Sequence, residues 1–397
     1  MKFPGANEFA DSWHLDPTVV FLNHGAFGAC PIPVLAQQQR FRQQLEQEPL
    51  RFIMREFEPL LEIARQALAA FVGTDPADLV FVPNATTGAN SVLRSLSFEP
   101  GDELLTTDHC YNACRNALEF VARRSGAKVV VATVPFPLEN SEQIVASVMR
   151  CVTPRTKLAL LDHITSQTAL IFPIKALVRA LAARGIDTLV DGAHAPGMIP
   201  LNLQEIGAAY YTGNCHKWMC APKGAAFLVV QRDRQAQIRP LTISHGANSP
   251  RTDYSRFQLE FGWTGTHDPT PYLCIPAVLQ FMDAQLPQGG WQAVMDRNRA
   301  LALQARQLLA ETLSQPLPCP DGMVGAIAAL LLPSSFGTPE LSPAGIDALQ
   351  DWLWNNYKIE VPVIPWASPP QKILRVSAQL YNHLDQYRYL AAALQSR

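Results

Sequence analysis

The chain has 397 residues, 48% of them hydrophobic and 17% charged, with a formal net charge of −2. That composition belongs to folded globular proteins and excludes a disordered chain; the near-neutral charge gives no ground for a nucleic-acid partner. A single hydrophobic core stops growing at roughly 250–300 residues, so two domains are expected.

From Met1 to Asp16 there is no basic segment leading into an apolar run, and no stretch of about 20 uncharged apolar residues follows, so neither a signal peptide nor a membrane span is expected. The eight Cys read as free thiols of a reducing cytoplasm, and Cys110 and Cys114 lack the second pair a zinc site would need. Residues 1–20 form an arm, broken by Pro4, Asn7, Asp11 and Asp16. A helical region from Val34 to Val72 follows, with breaks at Pro49 and Pro59.

Short apolar runs then alternate with helical stretches: Leu79–Val82, Glu103–Thr106, Lys128–Val134, Lys157–Leu161, Thr188–Val190, Ala209–Thr212 and Ala225–Val230. Several lack polar alternation, as strands buried on both faces do. The helical stretches between them include Ser141–Cys151 and Ile174–Arg184. The order predicts an α/β fold with a mainly parallel seven-stranded sheet. After residue 285 a long helix (Trp291–Ser314), a strand (Ala326–Leu332), a helix (Pro343–Tyr357), strands near Glu360–Ile364 and Ile373–Val376 and a last helix predict a small α+β domain. The expected division is 21–285 for the large domain and 286–397 for the small one, with 21–50 able to pack on the latter.

Ligands on a parallel sheet sit beyond the carboxyl ends of its strands. Those ends here carry Asn84 to Gly88, Thr107-Asp108-His109, Asp162-His163, Asp191 to His194 and Gly213 to Lys217. Lys217 is flanked by Tyr210, Tyr211, Trp218 and Met219. A surface lysine is the ordinary reading, but such flanks desolvate the amine and lower its pKa, as a Schiff-base lysine requires. Asp191 closes a buried strand and suits either a helix cap or the partner of a pyridinium nitrogen. His194 is a packed loop residue or a contact to the phenolic oxygen of such a ring. Thr86-Thr87-Gly88 precede a helix predicted over Ala89–Leu96 and offer hydroxyls and N–H groups to an anion; capping explains them equally well. His216 is a further anion candidate. His109, with Tyr111 close by, is placed for a ring that stacks on a pyridine face. Arg375, in the apolar strand Ile373–Val376, is a core ion pair or a bidentate clamp for a substrate carboxylate.

Taken together, these segments resemble the class V aminotransferase-like branch of fold-type I pyridoxal-phosphate (PLP) enzymes. The likeness is strongest to the isopenicillin N epimerase-like group. It is carried by Phe21 to Gly28, Asn84 to Asn90, Asp191 to Ala195, Gly213 to Trp218, Trp263-Thr264-Gly265-Thr266, Arg375-Val376-Ser377 and Tyr381-Asn382. The resemblance implies PLP held on Lys217 as an internal aldimine, Asp191 on the pyridine nitrogen and His109 stacked on the ring. It implies Thr87, Gly88 and His216, with Thr86, on the phosphate, and Ser166 and His194 near the phenolic oxygen. Thr266 matches a phosphate contact given by the partner subunit, so a homodimer with shared active sites is implied. Arg375 matches the residue that holds the carboxylate of an amino-acid substrate, and Asn23 and His24 border the substrate pocket.

Cysteine desulfurases carry a nucleophilic Cys shortly before that Arg; no Cys lies between Glu360 and Leu374 here, which argues against persulfide chemistry. The implied first step is loss of the Cα proton to Lys217. Epimerisation then needs a second acid, for which Tyr111 and His24 are candidates. β-Elimination, giving a C–S lyase, and transamination are the alternatives, and a catalytically dead PLP-binding protein is a fourth.

Overall fold

The computed structural model describes residues 2–366 and 371–397. After a short strand β1 (Val20–Phe21), the apolar runs become β2 (Leu79–Val82), β3 (Glu103–Thr107), β4 (Lys128–Ala132), β5 (Thr156–Asp162), β6 (Asp187–Asp191), β7 (Tyr210–Asn214) and β8 (Ala226–Val230). They form one seven-stranded sheet in the order β2-β8-β7-β6-β5-β3-β4. β8 runs antiparallel to both neighbours and the other pairings are parallel.

The missing polar alternation has a direct cause. Successive residues of each strand enter two different cores: Leu105, Leu161, Val190, Tyr211 and Phe227 face one, and Leu104, Leu160, Leu189, Tyr210 and Leu228 the other. Helices Phe57–Val72 and Ile174–Ala182 cover the first side; Ala85–Ser95 and Asn112–Ser125 cover the second. The chain leaves β3 for the edge strand β4 and returns as β5 on the other side of β3. This reversal opens a crevice at the carboxyl ends of β3 and β5.

Beyond helix Gly290–Leu313 the chain adds β9 (Ile327–Leu331), β10 (Ile359–Glu360), β11 (Val363–Trp366) and β12 (Gln371–Ser377). β11, β12 and β9 form an antiparallel sheet, and β10 pairs in parallel with β1. The predicted strand over Glu360–Ile364 is thus two, separated at Val361-Pro362, where proline supplies no ladder N–H. The first residues are clasped to this end of the chain. Asn7 Nδ2 donates to Leu380 O at 2.7 Å, and Trp13 packs edge-on against Phe281 and Tyr381.

Three helix boundaries differ from expectation. Asn84 caps its helix by accepting from Thr87 N at 2.8 Å, so that helix starts at Ala85 rather than Ala89. The expected break at Pro49 is present, one helix ending at Gln47 and the next starting at Pro49 after Glu48, whereas Pro59 does not break the region. Each proline lies in the first turn of a helix, where a missing N–H costs nothing, and a π-helical turn over Phe52–Glu56 joins the pieces. The helix expected from Pro343 begins at Ala348, capped by Asp347. Among the described residues no helix is long and apolar enough to cross a membrane.

Candidate active site

The loops that leave β2, β3, β5, β6 and β7 converge on a cleft enclosing about 610 Å³, its open mouth included. Its walls are Asn84, Ala85 and Thr86 after β2, Tyr111 after β3, Asp162, Ile164 and Ser166 at β5, Asp191, Ala193 and His194 at β6, and Asn214, His216 and Lys217 after β7. Ala26 and Phe27 reach it from the N-terminal segment.

Lys217 is half-buried on the wall of this cleft. Burial lowers its amine to a pKa of about 8, against the opposing pull of Asp191. Its Nζ lies 2.9 Å from His194 Nε2, and the Trp218 indole N–H donates to His194 Nδ1 at 3.2 Å. Burial, then the charges of Lys217 and Arg375, hold the His194 imidazole well below its ordinary range.

Asp191 accepts from Ala193 N at 2.9 Å on Oδ1, and from the Cys114 thiol at 3.1 Å on Oδ2. Beside it stands Asp162, its register partner at the end of β5. Adjacent strands lie about 4.8 Å apart, so the two carboxyls share one edge of the cleft. Burial, and then the Asp191 charge, push Asp162 well above the carboxylate range. Its Oδ1 takes a long bond from Tyr111 N at 3.3 Å, and its buried Oδ2 has no partner among the described residues. An unsatisfied buried oxygen costs about 1–3 kcal/mol.

At the β2 end, Asn84 Oδ1 accepts from both the amide and the hydroxyl of Thr87, and Asn214 Oδ1 accepts from Ala85 N at 2.8 Å. Thr86 faces the cleft, whereas Thr87 lines a neighbouring cavity that also meets Thr264 and His267. Gly88 brings helix and sheet together: a Cβ there would collide with the Thr212 hydroxyl. His216 donates from Nδ1 to Ala225 O at 2.8 Å, and burial lowers its pKa to about 4. In its neutral form His216 therefore keeps a bare Nε2, which must take up a proton before it can donate to a phosphate oxygen.

Arg375 lies on β12, beside the cleft residue Ser166. Its Nη1 donates to Ser166 O and, at 3.3 Å, to Ser166 Oγ; its Nη2 donates to Asn23 Oδ1 at 3.3 Å. Among the described residues its buried Nε has no partner and no carboxylate pairs with this guanidinium. Burial lowers its pKa to about 10. A buried cation left this way is strongly disfavoured unless an anion joins it.

Several residues singled out in the sequence lie elsewhere. His109 does not line the cleft. Its Nε2 donates to Val134 O at 3.1 Å, its Nδ1 faces the Thr168 hydroxyl at 2.7 Å, and Phe136, Phe172 and Trp366 surround its ring. The aromatic ring on the cleft wall is that of Tyr111, two residues on. His24 is also behind the wall: its Nε2 donates to Lys217 O at 3.1 Å and its Nδ1 accepts from Tyr381 OH at 2.6 Å. Burial lowers it to about 3, so it serves as a prop for the Lys217 backbone rather than as an acid. Asn23 reaches the site through Arg375, and its Nδ2 donates to Glu360 Oε1 at 3.0 Å. Thr266 is exposed and outside the cleft of its own chain. The sequence reading assigned no role to Asp162 or to the Cys114 thiol. Asp162 carries the same signal as Asp191, a carboxylate closing a buried strand, whereas Cys114 approaches from a helix and leaves no such mark.

The donor set suits PLP on physical grounds. An amine of lowered pKa, a carboxylate at the sheet edge, an orphaned carboxyl oxygen and a helix start with a free hydroxyl line one space, and the Arg375 guanidinium is bonded to Ser166 on its wall. The fold and cleft define a fold-type I PLP enzyme. The chain belongs to the aminotransferase class-V family, whose model matches residues 20–314. It is 35% identical to the isopenicillin N epimerase of Streptomyces clavuligerus, over 96% of this chain and 95% of that one. It is 29% identical to a probable chloroplastic L-cysteine desulfhydrase of Arabidopsis thaliana, over 96% and 83%. Among solved structures it superposes on the cystine C-S lyase C-DES with a TM-score of 0.77 at 22% identity, covering 95% of this chain and 97% of that one. With a cysteine desulfurase of Thermococcus onnurineus the TM-score is 0.79 at 17% identity, covering 100% and 98%.

Proposed function

We propose that this enzyme inverts the α-carbon of an amino acid, in the manner of the isopenicillin N epimerases it resembles. The observation that carries the reading is the buried Arg375 guanidinium, which has no carboxylate among the described residues and is bonded to Ser166 on the wall of the cleft that holds the depressed Lys217 amine. PLP, linked to Lys217, supplies an electron sink conjugated to the substrate's Cα. Asp191 pairs with its ring nitrogen, and Tyr111 covers its face in place of His109. Thr86, His216 and the helix start after Asn84 hold its phosphate, with Thr87 and Gly88 shaping that turn. Ser166 and His194 border its phenolic oxygen.

Arg375, steadied by Ser166 and Asn23, grips the substrate carboxylate and orients the Cα–H bond. Lys217 takes the Cα proton as a free amine. Of the two acids considered from the sequence, Tyr111 lines the cleft and His24 does not. Burial raises the Tyr111 hydroxyl, so it carries a proton at neutral pH. Incubating amino acids with the enzyme in deuterium oxide tests the reading: inverted product with deuterium at Cα supports it, and keto acid with ammonia refutes it. That second outcome belongs to a C–S β-lyase, the reading favoured by the likeness to cysteine desulfhydrases.

The working unit in this reading is a homodimer. Thr266 and the exposed apolar side chains of Phe27, Met54 and Ile243 support it, with Thr266 offered to the partner's phosphate site. The eight unpaired Cys suit the reducing cytoplasm. The domain division at about residue 285 belongs to the same reading.

A further inference from the structure

We infer that Trp218 is a positioning residue that locks His194 in the tautomer carrying its proton on Nε2. An indole N–H is a donor and nothing else, so the 3.2 Å contact to His194 Nδ1 requires that nitrogen to be bare. A neutral imidazole carries one N–H, which must then sit on Nε2. Nε2 faces Lys217 Nζ at 2.9 Å, so in this contact the lysine accepts and must be the free amine. The indole forces a donor against the lysine, and a donor repels the ammonium form.

The tryptophan is held firmly enough to do this. Trp218 is fully buried, and its ring packs on His24 with centroids 5.0 Å apart. Gly197 and Gly25 let the chain close around it: a Cβ on Gly197 would strike the Trp218 backbone, and one on Gly25 would meet its ring at 3.4 Å.

The charged and titratable groups around the pair act whichever tautomer is present. Asp191 favours the lysine ammonium and Arg375 disfavours it, while Asp162 and Cys114, both pushed up by burial, would pull on it only if they ionised. Burial and the Arg375 charge lower His194 and keep its ring neutral, and an ammonium on Lys217 would lower it further. His216 lies close to Lys217 as well. Against this fixed background the tautomer is the adjustable element. With the indole N–H removed, the imidazole can carry its proton on Nδ1 and turn Nε2 into an acceptor that stabilises the ammonium. The inference rests on the reading that Lys217 holds PLP. It explains how that amine stays nucleophilic towards the incoming cofactor, and why His194 arrives as a donor for the cofactor's phenolic oxygen.

The test is Trp218→Phe, which keeps a buried ring and deletes the N–H. PLP capture by apoprotein is followed by absorbance across pH, with borohydride fixation and peptide mapping of both proteins. The midpoint of capture is expected about one pH unit higher in the variant, with capture at pH 7 slowed about tenfold. Nitrogen NMR of the wild-type apoprotein is expected to show the His194 proton on Nε2. An unshifted capture curve with the label on Lys217 overturns the inference and leaves the lysine reading intact. A label elsewhere sinks the lysine reading, and the NMR tautomer then decides the inference alone. If the variant does not fold, a wild-type proton on Nδ1 overturns it and one on Nε2 upholds it.

Discussion

Asp162 and Asp191 close neighbouring parallel strands as register partners, yet they are bonded unequally. Asp191 takes a backbone amide and a thiol on its two oxygens, while Asp162 takes one long bond and keeps an orphaned oxygen. Two carboxylates at adjacent strand ends do not both ionise readily in a buried cleft. Burial and the charge of Asp191 push Asp162 up, and the poorly bonded carboxyl keeps its proton.

Asp162→Asn replaces a neutral acid by a neutral amide of the same shape. The variant is expected to match the wild type in PLP content and in the pH dependence of its cofactor absorbance. Asp191→Asn removes the charge opposite the ring nitrogen, and turnover is expected to fall by about 100-fold or more. A spectrum of Asp162→Asn displaced as far as that of Asp191→Asn would show that Asp162 is the ionised partner.

Arg375→Leu removes a buried cation that lacks a carboxylate. PLP content is expected to hold, since Arg375 is bonded to Ser166 and Asn23 and to no element of the helix start after Asn84. Losing a charge-assisted bidentate pair costs about 3 kcal/mol, or roughly 100-fold in kcat/KM, most of it in KM. Steady-state kinetics with the best amino acid found reads this directly; a loss of PLP with unchanged KM would move Arg375 out of the substrate site.

PLP capture by the apoprotein requires the free amine of Lys217. The folded-state pKa is depressed from 10.5 to about 8, so the reactive fraction grows as pH rises to about 8 and levels off above it. An exposed lysine would instead keep gaining rate towards pH 10.5. Stopped-flow absorbance between pH 6 and 10.5 separates the two, and a profile still climbing above pH 9 contradicts the desolvated amine.

Gly88→Ala forces a methyl group into the Thr212 hydroxyl on β7. Overpacking of this kind costs about 1–3 kcal/mol, and the shifted helix start weakens PLP retention. Thermal unfolding of the apoprotein and the PLP dissociation constant are both expected to worsen. An unchanged melting point would mean that helix and sheet can separate there at no cost.

The sheet was legible in the sequence because strands buried on both faces lose their polar alternation, and each of the seven apolar runs contains or overlaps a strand. Lys217 and Asp191 were legible for a related reason: a charged residue at the end of such a run has to be explained. What the sequence did not show is lateral. The Asp162–Asp191 pairing depends on which strands are neighbours, and the Cys114 contact on the depth of a helix. The indole bond to His194 depends on how two loops pack. The end of a strand identifies a loop, not which of its side chains turns inward, so the sequence points to His109 rather than Tyr111 as the stacking ring. There the Thr168 hydroxyl and Val134 carbonyl draw the imidazole into the core and leave Tyr111 at the wall.

Whether Lys217 carries the cofactor is read most directly by borohydride reduction of the PLP-saturated protein followed by peptide mapping. One phosphopyridoxyl label is expected, on the peptide containing Lys217, and it is expected to be lost in Lys217→Ala. A label on another lysine, or a saturated protein without a chromophore, would contradict that assignment.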